Sequence, residues 1–218
     1  MGNREEFRAA RVPAHMSPRP AIDHIRKPQI LDAAAKVITE RGFGATRIAD
    51  VAERAGTSAP AVLYWFDSRE QLLNEALVAD EESFAAQVGE RLAEIGSAKE
   101  RLRVLIDETV GDSDISLWVE LWARSLHDEA AAAARVRLDD AWRALLARIV
   151  AEGQEAGEFD RAVDPARAAL TLGSLMDGLG VQITLGDPSV SREEMLEIVV
   201  AAAEAMLGAD LESAEVAA

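Results

Sequence analysis

Apolar positions recur at helical spacing along most of the chain, and glycine, proline and small capping residues cut them into segments. Ile22, Ile25, Ile30, Ala33, Ala34, Val37 and Ile38 lie largely on one stripe, which predicts a helix over about 22–41 that stops at Gly42. Pro28 is tolerable in it only near the first turn. Thr46 can cap a short second helix that runs to Ala55 and ends at Gly56. Ser58 caps a third, with Pro60 in its first turn, where a missing N–H costs little. From Ser68, the residues Leu72, Leu73, Ala76, Leu77, Phe84, Val88 and Leu92 predict a long helix to about Ile95. Five further helices are predicted over 98–110, 114–127, 129–156, 164–186 and 191–208. Their starts are marked by Ser97 with Glu100, Asp164 with Pro165, and Ser191 with Glu194. Alanine, leucine, glutamate and arginine dominate over β-branched and aromatic residues, so almost no strand is expected. Internal self-similarity is absent, which predicts an all-α bundle and not a repeat array.

The last two predicted helices are apolar over too much of their circumference for a lone surface hairpin. Small residues at Gly173, Ser174, Gly178 and Gly180 let helices approach closely. A two-fold four-helix bundle between two copies of the chain is expected, with Leu172, Gly173, Leu175, Met176, Leu179, Ile198 and Met206 at the interface. Burial of the same residues within one subunit is the alternative reading.

At 218 residues, with 49% hydrophobic content, the chain is long enough for a small domain and a larger one. The expected division is an arm over 1–20 containing Pro13, Pro18 and Pro20, a small helical domain over 21–67, a larger one over 68–210 and a tail over 211–218. There is no cysteine, and the longest apolar run, Ile198 to Leu207, is interrupted by Glu204 and is too short to span a membrane. With no apolar signal-peptide core at the N-terminus, a cytoplasmic location without membrane association is expected.

A net charge of −16 argues against nucleic acid as a partner until its distribution is considered. Residues 19–79 carry eight basic and eight acidic side chains, whereas residues 80–218 carry twelve basic and twenty-nine acidic. The acidity therefore sits in the larger domain, leaving a neutral, locally basic N-terminal face that can approach phosphates.

An enzyme finds little support. His15 and His24 lie in or near the arm, His127 has no metal-ligand partner at usable spacing and reads as a helix-end residue, and no cysteine nucleophile or phosphate-cradling glycine loop is present. No cofactor and no metal are expected.

Two short helices joined by a glycine turn form a helix-turn-helix, in which the second lies in the major groove with its first turn towards the base edges. From Gly42 the chain reads GFGATRIADVAERAGTSAPAVLYWFDSREQLL, ending at Leu73. This stretch closely resembles the N-terminal domain of the TetR family of ligand-responsive transcriptional repressors, with matched spacing throughout. The resemblance implies an all-α dimer that binds double-stranded DNA at a palindromic operator. It assigns Thr46 and Ser58 to phosphate contacts and Ala59, Pro60 and Ala61 to the exposed start of the recognition helix, with Tyr64 and Trp65 on the backbone or groove wall. Arg69 stands where the family usually has a lysine at a helix start, and Arg47 is a further backbone candidate. Leu63 departs from the pattern, since many members carry tyrosine there. Read from the residues alone, Val51, Ala52, Ala55, Val62, Leu63 and Phe66 make the small core, Trp65 fits either core or contact, and Ser58 and Arg69 either cap helices or meet phosphate.

In the larger domain, Asp114, Trp118 and Trp122 share one helical face, and Trp142 and Asp177 can join them from neighbouring helices. A carboxylate beside indole faces can hold an ammonium group; plain core packing is the other reading. The region from Trp118 to Asp187 loosely resembles the C-terminal domain of choline-responsive repressors, which implies an amine or quaternary ammonium inducer. Ligand binding would then tilt the long fourth helix and release the operator. A helical protein-interaction adaptor without DNA binding stays open as the second reading.

Overall fold

The computed structural model describes residues 20–111 and 115–211, with side chains from Arg26 onward. The expected arm up to residue 19, the tail beyond Leu211 and the candidate Asp114 lie outside the described residues. Among these residues the chain is all helical: α1 (Pro20–Arg41), α2 (Ile48–Arg54), α3 (Ala59–Trp65), α4 (Arg69–Ala93), α5 (Ala98–Val110), α6 (Ser116–Ser125), α7 (Glu129–Ala156), α8 (Pro165–Thr184) and α9 (Arg192–Leu207).

The turns follow local chemistry. Gly42 and Gly56 adopt positive φ of 77° and 62°, the left-handed conformation that closes α1 and the α2–α3 turn. Ser58, Ser68, Ser97 and Ser191 each accept a hydrogen bond from the backbone N–H three residues on, and at Ser191 the Glu194 carboxylate returns the bond in a full capping box. Two expectations are corrected. Thr46 is not the cap of α2: it is 1% exposed and its hydroxyl donates to the Gly42 carbonyl at 2.9 Å. Arg47 takes the cap position instead, its backbone N–H bonded to Asp50 Oδ2 at 3.2 Å. Pro28 lies inside α1, beyond its first turn, because the helix begins at Pro20.

Two hydrophobic cores result. The first joins Ile30, Ala34, Val37 and Ile38 of α1 with Val51, Val62 and Phe66, and it continues into Leu72, Leu73, Ala76 and Leu77 of α4 and Leu117 and Leu121 of α6. The second surrounds α5, whose Leu102, Leu105 and Ile106 are fully buried between α7, α8 and α9. Leu63 is not part of the first core: at 49% exposure it stands outward, because Val62 already fills the inward register of α3.

On α8, Leu172 and Met176 are 0% and 3% exposed within the single chain, so they belong to the second core and not to an intersubunit surface. Gly173, Leu175, Leu179 and Met206 are half-buried, and Ile198 is 44% exposed. Leu170 on α8 and Leu185 just after its end add further exposed apolar area.

Candidate functional site

The first site is the outer surface of α2 and α3. Ser58 and Pro60 are exposed, and Ala59 and Ala61 half-buried, at the start of α3. Tyr64 is 77% exposed, and Trp65 meets it edge-on at 5.3 Å between ring centroids while packing its other side on the first core. Arg47 is exposed at the head of α2. The remaining two candidates face inward. Thr46 is buried. Arg69 lays its guanidinium across the α1–α2 loop, donating to the carbonyls of Thr46 (2.7 Å), Gly44 (3.2 Å) and Phe43, with the remaining terminal nitrogen on Glu70 at 3.1 Å. It also lies 5.2 Å from the Phe43 ring centroid. Burial of Thr46 and the donors taken up at Arg69 fix the loop that presents α2.

The second site is a cavity of about 230 Å³ between α4, α5, α6, α7 and α8. Trp118 from α6, Trp142 from α7 and Asp177 from α8 line it, as their helical positions predict. Trp122 does not: it lies behind Trp118, with ring centroids 5.8 Å apart. Asp80, Glu81 and Phe84 of α4 and Asp139 and Arg143 of α7 also line the cavity, and sequence reasoning had passed over them. A signal was present. Glu81 stands four residues after Leu77 and seven before Val88, and Asp139 three before Trp142 and seven before Leu146, so both acids interrupt the buried stripe of their helix.

The electrostatics of this cavity are lopsided. Asp139 is paired with Arg135 and Arg143. Burial, with the neighbouring Asp80 charge adding to it, pushes Glu81 up to about 7. Asp177 and Asp80 are exposed in the single chain, but desolvation against the cavity wall and the Asp139 charge raise Asp177 to about 6 against the opposing pull of Arg143, and desolvation also raises Asp80. Phe84 and Trp142, 6.0 Å apart, supply apolar walls.

Helices α4 and α6 connect the two sites. α4 carries Leu72 to Leu77 in the first core and Asp80 to Ala85 at the cavity. On α6, Trp118 faces the cavity, whereas Glu120 bonds to the Phe43 N–H at 3.1 Å. The Arg124 guanidinium lies 4.2 Å from the Phe43 ring centroid. Arg124 also bonds to Asn74 of α4 and Asp128 at the head of α7, and the Ala131 N–H, Asn74 and Arg124 together hold the Asp128 carboxyl below its ordinary range.

Comparison with known proteins adds a family. Residues 30–76 match the model for bacterial regulatory proteins of the tetR family, and residues 98–208 match the BetI-type transcriptional repressor, C-terminal. The HTH-type transcriptional regulator BetI of Burkholderia thailandensis is 31% identical over 173 residues, covering 74% of this chain and 83% of that protein. A transcriptional regulator from Saccharomonospora viridis, solved in complex with choline, superposes with a TM-score of 0.73 at 28% identity, over 81% of this chain and 94% of that one. A TetR-family regulator from Rhodococcus sp. gives a TM-score of 0.72 at 29% identity, over 84% and 98%.

Proposed function

The chain belongs to the TetR family of bacterial regulators, with a C-terminal half of the BetI type, and from that premise we propose that it binds a palindromic operator as a homodimer and leaves it when a small cationic amine enters the cavity. Its role as a ligand-responsive, DNA-binding transcriptional repressor, and not an enzyme, follows from the family.

The observation that supports the cation is the cavity itself, where Trp118, Trp142 and Phe84 stand beside Glu81 and Asp177. Indole faces attract ammonium groups, and a carboxylate in a sheltered site adds direct charge compensation. The choline found in the Saccharomonospora viridis relative supports the same chemistry.

In the reading head, Ser58, Ala59, Pro60, Ala61, Tyr64 and Trp65 approach the major groove, and Arg47 meets the phosphate backbone. Ala59, Pro60 and Ala61 offer methyl and ring contacts in place of bidentate hydrogen bonds, so the phosphate contacts carry much of the affinity. Arg69 and Thr46 act from beneath, holding the loop. The exposed faces of α8 and α9, with Ile198 central and Gly173, Leu175, Leu179 and Met206 at their margins, pair with a second copy. Among the described residues no helix is long and apolar enough to cross a membrane, and the reading places the protein with the DNA in the cytoplasm.

Release requires that the ligand prefer one of two head separations. Coupling is reciprocal: a ligand that weakens operator binding tenfold is itself bound tenfold less well on DNA, about 1.4 kcal/mol. Selection of binding sites from a randomised duplex library, followed by titration of the recovered duplex with amines, tests the reading. A recovered palindrome released by an amine is expected. Failure to enrich any sequence, with or without amines present, would favour the adaptor reading.

A further inference from the structure

Four carboxylates line the cavity, Asp80 and Glu81 from α4, Asp139 from α7 and Asp177 from α8, against one cation, Arg143. That cation is already engaged, with Asp139 and Asp140 each at 3.4 Å, and Asp139 is further bound by Arg135. Among the described residues Glu81 and Asp177 have neither an ion pair nor a hydrogen bond to their side chains, and they sit on different helices of a cavity that Trp118, Trp142 and Phe84 also line. We propose that the cavity takes a dication, a short α,ω-diamine, with one ammonium group held by Glu81 and the other by Asp177 while its methylene chain lies against the aromatic walls. The inference rests on the amine-responsive reading above and narrows it.

A carboxylate sheltered from water without a counter-ion is costly, and it either takes a proton or waits for a cation. Glu81, half-buried and pushed up to about 7, is in that condition; Asp177 is exposed in the single chain, yet where it lines the cavity it is raised in the same direction, to about 6. A quaternary ammonium or a monoamine satisfies one of them and leaves the other to be protonated. A diamine satisfies both, each through charge-assisted contacts that are stronger than neutral ones. The cavity, at about 230 Å³, is small by the standard of drug-sized sites and suits a short chain.

The groups facing the two acids are Asp80 on α4, itself within the field of Asp32 and Lys36 of α1, together with Asp139 and Arg143 on α7 and the uncharged Thr109 and Trp118 on α5 and α6. Because the diamine must displace protons from Glu81 and Asp177, its binding releases protons near neutral pH and strengthens as pH rises through about 6 to 7.

The test is calorimetric titration of the full-length protein with putrescine, n-butylamine and choline, in two buffers of different ionisation enthalpy. Putrescine is expected to bind at least about tenfold more tightly than n-butylamine, with proton release. In Glu81→Gln and in Asp177→Asn that ratio is expected to fall towards one. Choline or n-butylamine binding as tightly as putrescine to the unaltered protein overturns the dication and leaves the amine reading standing. No binding of any of the three overturns both, and operator selection then shows separately whether the chain still reads DNA.

Discussion

The Glu120 carboxylate of α6 accepts a hydrogen bond from the backbone N–H of Phe43, in the loop that precedes α2, at 3.1 Å. Two residues earlier on the same helix, Trp118 forms part of the cavity wall. If a ligand in the cavity shifts α6, this bond carries the shift to the base of the reading head by a route that does not pass through α4. Glu120→Ala removes the acceptor and is expected to cost about 1 kcal/mol of stability. Its distinguishing effect is on coupling: operator affinity measured with and without inducer should differ less than in the parent protein. An unchanged ratio of the two affinities would place the coupling in α4 alone.

Arg47 and Arg69 occupy equivalent-looking places at two helix starts, yet only Arg47 has its guanidinium turned to solvent. Arg47→Ala is expected to leave the melting temperature unchanged and to make the salt dependence of operator binding shallower by about one unit, the signature of a lost phosphate contact. Arg69→Ala is expected to do the reverse, costing about 1 to 2 kcal/mol in thermal unfolding while the salt slope holds, because three loop carbonyls lose their donor. A shallower slope in Arg69→Ala would mean that it leaves the loop for a phosphate on binding.

The corrected register of α8 separates two kinds of apolar residue. Ile198→Glu, on the exposed face of α9, is expected to give a folded monomer in light scattering. Leu172→Ala is expected to remain a dimer but to lose about 2 to 5 kcal/mol of stability, since its side chain is fully buried in the second core. A dimeric Ile198→Glu would move the interface to another face.

Much of this organisation was legible in the sequence. The glycine punctuation at Gly42 and Gly56 and the serine caps at Ser58 and Ser191 act through nearest neighbours, so local chemistry reveals them. What escaped depends on partners distant in the chain. Thr46 reads as a cap until the Gly42 carbonyl and the packing of the α1–α2 loop turn it inward. Because α8 is apolar around most of its circumference, periodicity alone does not say which stripe meets its own subunit, and Leu172 and Met176 were placed on the wrong one. Glu81 and Asp139 were passed over because acids on a helix are ordinarily solvated, although each sits on a stripe that is otherwise buried.

Stability should carry the imprint of Glu81. Its carboxyl titrates at about 7 in the folded protein against the ordinary range when unfolded, so between these values the folded state holds more protons and stability falls as pH rises. Thermal melts are expected to lose stability from about pH 5 to about pH 8, after allowing for Asp177 and Asp80, which act in the same direction. Glu81→Gln should flatten that decline and be the more stable protein at about pH 8. Parallel curves for the two proteins would mean that Glu81 titrates normally. Asp128 and Glu158, held below their ordinary range, contribute stability of the opposite sign that disappears only in more acidic solution.

At Gly153 of α7 the Phe159 ring fills the space a Cβ would take. Gly153→Ala is therefore expected to destabilise by about 1 to 3 kcal/mol despite the better helix propensity of alanine. Gly89→Ala, with open space at its Cβ in α4, is expected to stabilise by about 0.5 to 1 kcal/mol. Denaturant unfolding of the two variants in parallel checks both signs.

The first core does not end where the reading head ends: it takes in Leu72 to Leu77 of α4 and Leu117 and Leu121 of α6. A single crossover after residue 67, joining this head to the body of a relative, would set Phe66, Val62 and Ile38 against side chains selected for a different partner. The head is therefore not a separable unit at residue 67, and an exchange of heads between such proteins is expected to fold only where the transplanted piece carries the start of α4 and a matching face of α6 with it.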